Sequence, residues 1–399
     1  MEEINGGICA VKGVRAYGVR EGSKGLALIE GEGSATGTFT TIKTQAAPVR
    51  FTKKQLELSG RVSAIIANSG CANSFTGEQG MRNADTMAAL AASYLGVAKD
   101  TIAVSSTGPI GMQLDMDLIE RQLEEVAEGL TSEVEGSTAA AKAIMTTDTF
   151  HKESAVRIAT GDTEPVAIGG IAKGSGMISP HMTTATMLSF IYTDADLEGD
   201  VLSRSLQEAV DNSFNMTVVD GDMSTNDMVL LVATGKSGGK ISEEDFKAGL
   251  TFVCQELAKQ IARDGEGATK FIEVRVRGAP SDADARAAAR AIVRSPLIKS
   301  AVFGERADLT CGRIIAAVGS AVTTEDIDLD GISISLKGAK GILAVDNGEF
   351  IDLSGVERDI LKAKEIFVDV DLGTGGEAEA TAWGCDLTCD YVKLNAAYH

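Results

Sequence analysis

The apolar residues of this 399-residue chain are broken into short runs, and that limits the folds open to it. Residues 62–68, 228–233 and 271–276 are β-rich stretches little more than a strand long. None approaches the roughly 18 residues that a membrane-crossing helix needs. Runs this short are strands that need covering layers. Between them lie stretches of helical character. Residues 85–95 form an Ala-rich helix ended by Gly96, and 115–130 put Ile119, Leu123, Val126 and Leu130 on one face. Residues 201–214, 243–263 and 282–293 are helical as well. Further strands are expected at 166–171, 217–220, 313–317, 332–336 and 367–370. Strands and helices intermingle without a βαβ rhythm, which predicts an α+β fold of layered sheets and helices rather than a doubly wound sheet.

Composition removes several classes of function. Hydrophobic residues make up 44% and charged residues 24%, a globular balance that excludes disorder and collagen-like structure. The length allows two or three domains, with a core that needs no disulfide or metal staple. Lys+Arg number 37 against 57 Asp+Glu, a net charge of −20 that suits neither nucleic acid nor an anionic membrane. Histidines occur only at 151, 181 and 399, HExxH is absent, and the six cysteines form no CxxC, so no metal site is expected. The start Met1-Glu2-Glu3 is acidic and the cysteines are scattered, which predicts a soluble, cytoplasmic protein with reduced thiols.

Nucleotide motifs fail in detail. Gly235-Lys236-Ser237 has the tail of a P-loop, but Leu230 stands where its first glycine belongs. Gly31-Glu32-Gly33 meets Gly37 one residue late for GxGxxG. Three other segments can carry chemistry. In 173–190, Lys173 lies beside Gly174 and Gly176, and hydroxyls precede the apolar run Met187-Leu188-Ser189-Phe190. Glycines let a backbone approach a ligand, and a lysine can meet a carboxylate; a glycine loop feeding a buried strand is the plainer reading. Ser105-Ser106-Thr107-Gly108-Pro109 is a tight turn that can present donors to an oxyanion, or merely join a strand to a helix. Gly265-Glu266-Gly267 offers a carboxylate that can meet an amine or stay solvated.

Taken in order, these segments resemble one family. The run Ala10-Val11-Lys12-Gly13-Val14, then Asn68-Ser69-Gly70-Cys71-Ala72-Asn73 and Thr76-Gly77-Glu78-Gln79-Gly80, is similar to the glutamate N-acetyltransferases, also called ornithine acetyltransferases. So are Thr146-Thr147-Asp148-Thr149, the stretch 173–194, Ser224-Thr225-Asn226-Asp227 and Ala382-Trp383-Gly384-Cys385-Asp386-Leu387. The resemblance runs nearly end to end. It implies self-cleavage between Ala185 and Thr186, giving a chain 1–185 and a chain 186–399 with a smaller α/β domain at roughly 281–399. Thr186, followed by Met187-Leu188, is the implied nucleophile; Thr183 and Thr184 stay open as alternatives. The approach to it, Pro180-His181-Met182-Thr183-Thr184-Ala185, is two residues longer than the family's usual Pro-Asn-Met-Ala and has His for Asn.

The resemblance further implies an oxyanion hole at Thr107 and Gly108, and substrate contacts at Thr147, Lys173, Thr186, Glu266 and Asn395. Lys173 suits an α-carboxylate and Glu266 an amino group. The family's terminal Thr or Ser has no counterpart after His399. A freed α-amino group titrates near pH ~8 and can act as the base that a threonine hydroxyl needs. The implied reaction carries acetyl from N-acetylornithine to glutamate on Thr186, with no metal or organic cofactor. The implied fold is a helix/sheet/sheet/helix sandwich like that of N-terminal-nucleophile amidases, and the implied assembly is a heterotetramer of two copies of each chain. An amidase or aminopeptidase of the same fold, and a processed amino-acid-binding protein without catalysis, are the alternatives. Use of acetyl-CoA as a second donor is left open.

Overall fold

The apolar runs 62–68 and 228–233 become the strands Arg61–Ser69 and Met228–Ala233, central members of one hydrogen-bonded sheet. The computed structural model describes residues 1–161, 163–179, 187–325, 327–354 and 357–397. The chain divides into two compact units, one of 1–215 with 222–257, the other of 216–221 with 258–399. In the first, the strands run Glu2–Glu3, Lys152–Ile158, Val166–Lys173, Leu188–Thr193, Met228–Ala233, Lys24–Phe39, Arg61–Ser69 and Ile102–Thr107 from edge to edge. Arg15–Glu21 pairs beside Lys24–Phe39.

That sheet folds over on itself. Five strand-to-strand steps separate Val166–Lys173 from Ile102–Thr107. At about 4.8 Å a step, a flat sheet would hold them roughly 24 Å apart, far beyond the reach of one lysine. Yet Lys173 Nζ lies 3.2 Å from Thr107 Oγ1. The two halves of the path therefore face each other as layers. Side-chain alternation agrees. Ala27, Ile29, Ile65, Ala67 and Ala103 share one core with Ile171, Leu188, Phe190, Tyr192, Leu230 and Val232, between the layers. Leu26, Leu28, Ala64, Ile66, Ile102 and Val104 point the other way, onto the helices Gly77–Leu95 and Met116–Gly129. Small residues Ala84, Ala88 and Ala91 bring the first of these close to the strands, and Ile119, Leu123 and Val126 fill the second contact. On the opposite outer face, Gly249 of the helix Glu243–Arg263 sits against Ile158 and Ile168. Helix, sheet, sheet and helix thus follow one another, as expected.

The second unit carries its own sheet, ordered Glu349–Phe350, Gly341–Asp346, Ser333–Lys337, Glu365–Asp371, Phe271–Ala279, Ala378–Cys385 and Thr217–Val218. The helix Asp282–Arg294 is capped by Ser281, whose hydroxyl accepts from the Asp284 N–H. One expectation is corrected here. Residues 313–317 are not a strand but lie inside the helix Ala307–Ala321. Ala307, Thr310, Cys311, Ile314 and Val318 are buried at helical spacing, and that face outweighs the β preference of Ile314-Ile315. The helix expected from 85 begins at Gly77.

Candidate active site

Thr107 closes its strand, and the chain turns at Gly108 with φ 136°. A Cβ there would lie 2.5 Å from the Cys71 nitrogen and 2.6 Å from the Gly70 carbonyl carbon, so the position needs glycine twice over. The turn is pinned by the Cys71 N–H donating to Thr107 O at 3.0 Å and the Ala72 N–H to Pro109 O at 3.1 Å. Burial pushes the Cys71 thiol above its ordinary value against the partial opposition of Lys24, so Cys71 packs rather than attacks.

Facing this turn, Lys173 ends its strand with its side chain buried. Its Nζ donates to Thr107 Oγ1 at 3.2 Å and to Thr146 Oγ1 at 2.8 Å, and stands 3.9 Å from Asp148 Oδ2. Asp148, wholly buried, accepts from Lys152 Nζ at 2.8 Å, from the Gly174 N–H at 2.7 Å and from the Thr146 N–H at 2.9 Å. Burial opposes the Asp148 charge, but Lys173 and Lys152 beside it, with these hydrogen bonds, hold its carboxyl well below the usual carboxylate range. Two buried lysines thus lie against one carboxylate.

A second buried acid, Asp227, directly precedes the strand Met228–Ala233. Asp227 Oδ1 accepts from the Met187 N–H at 2.9 Å. Burial pushes the Asp227 carboxyl well above its usual range; the Met187 N–H and the charge of Lys173 offset this only in part. Its neighbour Asn226 donates through Nδ2 to Ala72 O at 2.6 Å and Ser106 O at 2.9 Å, tying the strand Met228–Ala233 to the Gly108 turn.

Of the residues expected at the site, Thr107, Gly108 and Lys173 are brought together in the first unit. Thr147 is half-buried between Thr146 and Asp148, and it is Thr146 that accepts from Lys173. Ala185 and Thr186, with Thr183 and Thr184, lie outside the described residues. Glu266 and Asn395 meet in the second unit, where Asn395 Nδ2 donates to Glu266 Oε2 at 2.8 Å. Thr388 Oγ1 donates to Gly267 O at 2.7 Å, and Asp386 accepts from the Thr269 and Lys270 N–H groups at 2.8 and 2.9 Å. These contacts hold the Glu266 loop to the segment preceding the helix Cys389–Ala397. In the sequence, Asp148, Asn226 and Asp227 stand out only as members of segments shared with the family, without a role; the i, i+4 spacing of Asp148 and Lys152 is the one local signal of their pairing. Among the described residues, no group of three or more His, Cys, Asp or Glu could hold a metal ion, and no helix is long and apolar enough to cross a membrane.

A layered α+β unit with a buried lysine at a glycine turn defines a type of site that comparison with known proteins narrows. The sequence pattern of the ArgJ family matches residues 11–399, and the chain belongs to that family. It is 50% identical over 404 aligned residues to a protein of Methanosarcina mazei named glutamate N-acetyltransferase, with the whole of both chains covered. It is 45% identical over 413 aligned residues to the arginine biosynthesis bifunctional protein ArgJ of Symbiobacterium thermophilum, again over both full lengths. The crystal structure of ornithine acetyltransferase from Mycobacterium tuberculosis, complexed with ornithine, is 35% identical; the match covers 44% of this chain and 95% of that one, with a TM-score of 0.41.

Proposed function

We propose that the chain is an acetyltransferase of arginine biosynthesis, moving acetyl from N-acetylornithine to glutamate through an acetyl-threonine at Thr186. The observation that carries this reading is Lys173 Nζ at 3.2 Å from Thr107 Oγ1. It sets a cation suited to an α-carboxylate beside the turn whose donors suit an oxyanion. Relatives named for this activity, matched over their full length, support it.

In self-cleavage, Thr186 Oγ attacks the Ala185 carbonyl, and the C–N bond breaks in favour of an ester. The hydroxyl proton passes to the departing nitrogen, which becomes the α-amine of Thr186. Water then opens the ester, releasing the Ala185 carboxylate and restoring the Thr186 hydroxyl. That amine takes the hydroxyl proton when Oγ next attacks the acetyl amide of acetylornithine. The proton passes to the departing ornithine nitrogen, and acetyl stays on Oγ as an ester. The glutamate amine attacks that ester, and Oγ regains its proton. Thr107 and Gly108 stabilise the oxyanion at each stage, where one lost donor typically costs about 3 kcal/mol. Lys173 takes the α-carboxylate common to both substrates, Glu266 takes an amine, and Thr147 and Asn395 complete the contacts. The acetyl group rides on Thr186, so the reaction needs no cofactor. The mature assembly is a cytoplasmic heterotetramer of two chains 1–185 and two chains 186–399.

Intact-mass spectrometry of an active preparation is the test. It should find one fragment ending at Ala185 and another beginning at Thr186, while Thr186→Ala stays whole and inactive. An active preparation holding only uncleaved chain would sink the proposal. Ornithine release that ignores glutamate would replace it with an amidase, and tight binding without turnover would replace it with a binding protein. Acetylglutamate formed from acetyl-CoA and glutamate would add a second donor.

A further inference from the structure

Thr146 is not one of the residues expected at the site, yet its hydroxyl is the nearer of the two that Lys173 meets. Lys173 Nζ lies 2.8 Å from Thr146 Oγ1 and 3.2 Å from Thr107 Oγ1. An ammonium has three N–H donors and no lone pair, so both hydroxyls can only accept from it. Each hydroxyl hydrogen is thereby turned away from the lysine. Among the described residues neither O–H has an acceptor, and Thr107 is only 3% exposed, where an unsatisfied donor is costly. Asp148 does not supply one. Its Oδ2 accepts from the Thr146 N–H at 2.9 Å, and its Oδ1 from Lys152 Nζ and the Gly174 N–H. The bond from the Thr146 N–H braces the backbone that carries the hydroxyl.

We infer that Thr146 determines specificity for a free α-carboxylate: its hydroxyl donates to one oxygen of the carboxylate that Lys173 takes. The inference rests on the functional reading above. Thr107 Oγ1 and Thr146 Oγ1 bond the same nitrogen, so they stand no more than about 6 Å apart. In an α-N-acetyl amino acid, only the amide nitrogen and the α-carbon separate the acetyl carbonyl from the carboxylate. Thr107 therefore faces the carbonyl oxygen while Thr146 faces the carboxylate, with Lys173 orienting both hydroxyls.

Steady-state kinetics with N-acetylornithine and titration calorimetry with ornithine, both on the full chain, test this. Thr146→Val and Thr146→Ala lack the hydroxyl. Each should raise KM for acetylornithine and Kd for ornithine about 10- to 100-fold, as expected for a lost hydrogen bond to a charged group. With kcat within about threefold, the preference for acetylornithine over its α-carboxamide should shrink in the same variants. Thr146→Ser keeps the hydroxyl and should stay within about threefold of wild type throughout. A residue that merely steadied Lys173 would have no effect once the lysine is gone. In a Lys173→Met background, Thr146→Val should therefore still lower kcat/KM about threefold or more, and no further loss there would overturn the contact. So would wild-type KM and Kd in Thr146→Val, or a Thr146→Ser variant as weak as Thr146→Val. A wild-type chain that turns over no acetylornithine would instead remove the functional reading, and the ornithine titrations would still decide this one. Failure of the wild type to bind ornithine at all would remove both.

Discussion

Replacing Asp148 by Asn should destabilise the first unit severely, because one carboxylate serves two buried lysines. Its Oδ1 accepts from Lys152 Nζ at 2.8 Å, and Lys173 Nζ lies 3.9 Å from Oδ2. The exposures of these two lysine side chains are 0% and 3%, so water cannot take over the lost charge in place. Removing one partner of a buried pair costs about 3–5 kcal/mol. At about 2–4 °C per kcal/mol for a unit of this size, Tm should fall by roughly 6–20 °C. The depressed carboxyl adds a sign. Its contribution is present in full above its unfolded value near pH ~4 and is lost only as pH falls through the lower folded value. The gap between wild type and Asp148→Asn should therefore hold from pH 5 to 8 and close only in strong acid. Circular dichroism with peptide-resolved hydrogen exchange over 144–174 is the assay, since the single tryptophan, Trp383, lies in the second unit. A Tm loss under about 2 °C, or a gap that closes between pH 5 and 8, would refute the reasoning.

Gly108→Ala should lower kcat about 100-fold or more, since the new Cβ meets Cys71 and Gly70 and moves the turn proposed to supply oxyanion donors. Steady-state kinetics showing kcat within threefold of wild type would remove that role. Lys173→Met should raise KM for acetylornithine and for glutamate by about 10-fold or more, because both present the same carboxylate, and losing a charged contact costs at least that much. Unchanged KM values for both substrates in a processed variant would defeat the carboxylate assignment.

The helix Glu243–Arg263 and the strand Met228–Ala233 were legible residue for residue, because long amphipathic periodicity and unbroken apolar runs leave little choice of structure. The strand Lys24–Phe39 was not expected: it alternates glycine, threonine and glutamate with its apolar residues, and it is a strand because neighbours on both sides need its hydrogen bonds. The site divided the same way. Lys173 and Gly108 announce themselves through the glycines and hydroxyls beside them. Asp148 and Asp227 do not, since their importance comes from burial. What buries Asp227 is a fold-over that brings Asn226 onto Ala72 and Ser106, far away in the chain. No local pattern encodes such a meeting.

The order of strands in the first unit has a topological consequence. Leu188–Thr193 and Met228–Ala233 lie side by side, with Val166–Lys173 on one flank and Lys24–Phe39 on the other. A cut between Ala185 and Thr186 assigns the inner two strands to one fragment and both flanking strands to the other. The pieces are then interleaved rather than merely docked, and neither can leave without tearing the sheet along two seams. Once such a molecule is unfolded, the tether that brought the seams together at high effective concentration is gone. With that cut, assembly would run one way: the molecule must weave itself as a single thread before it can exist as two.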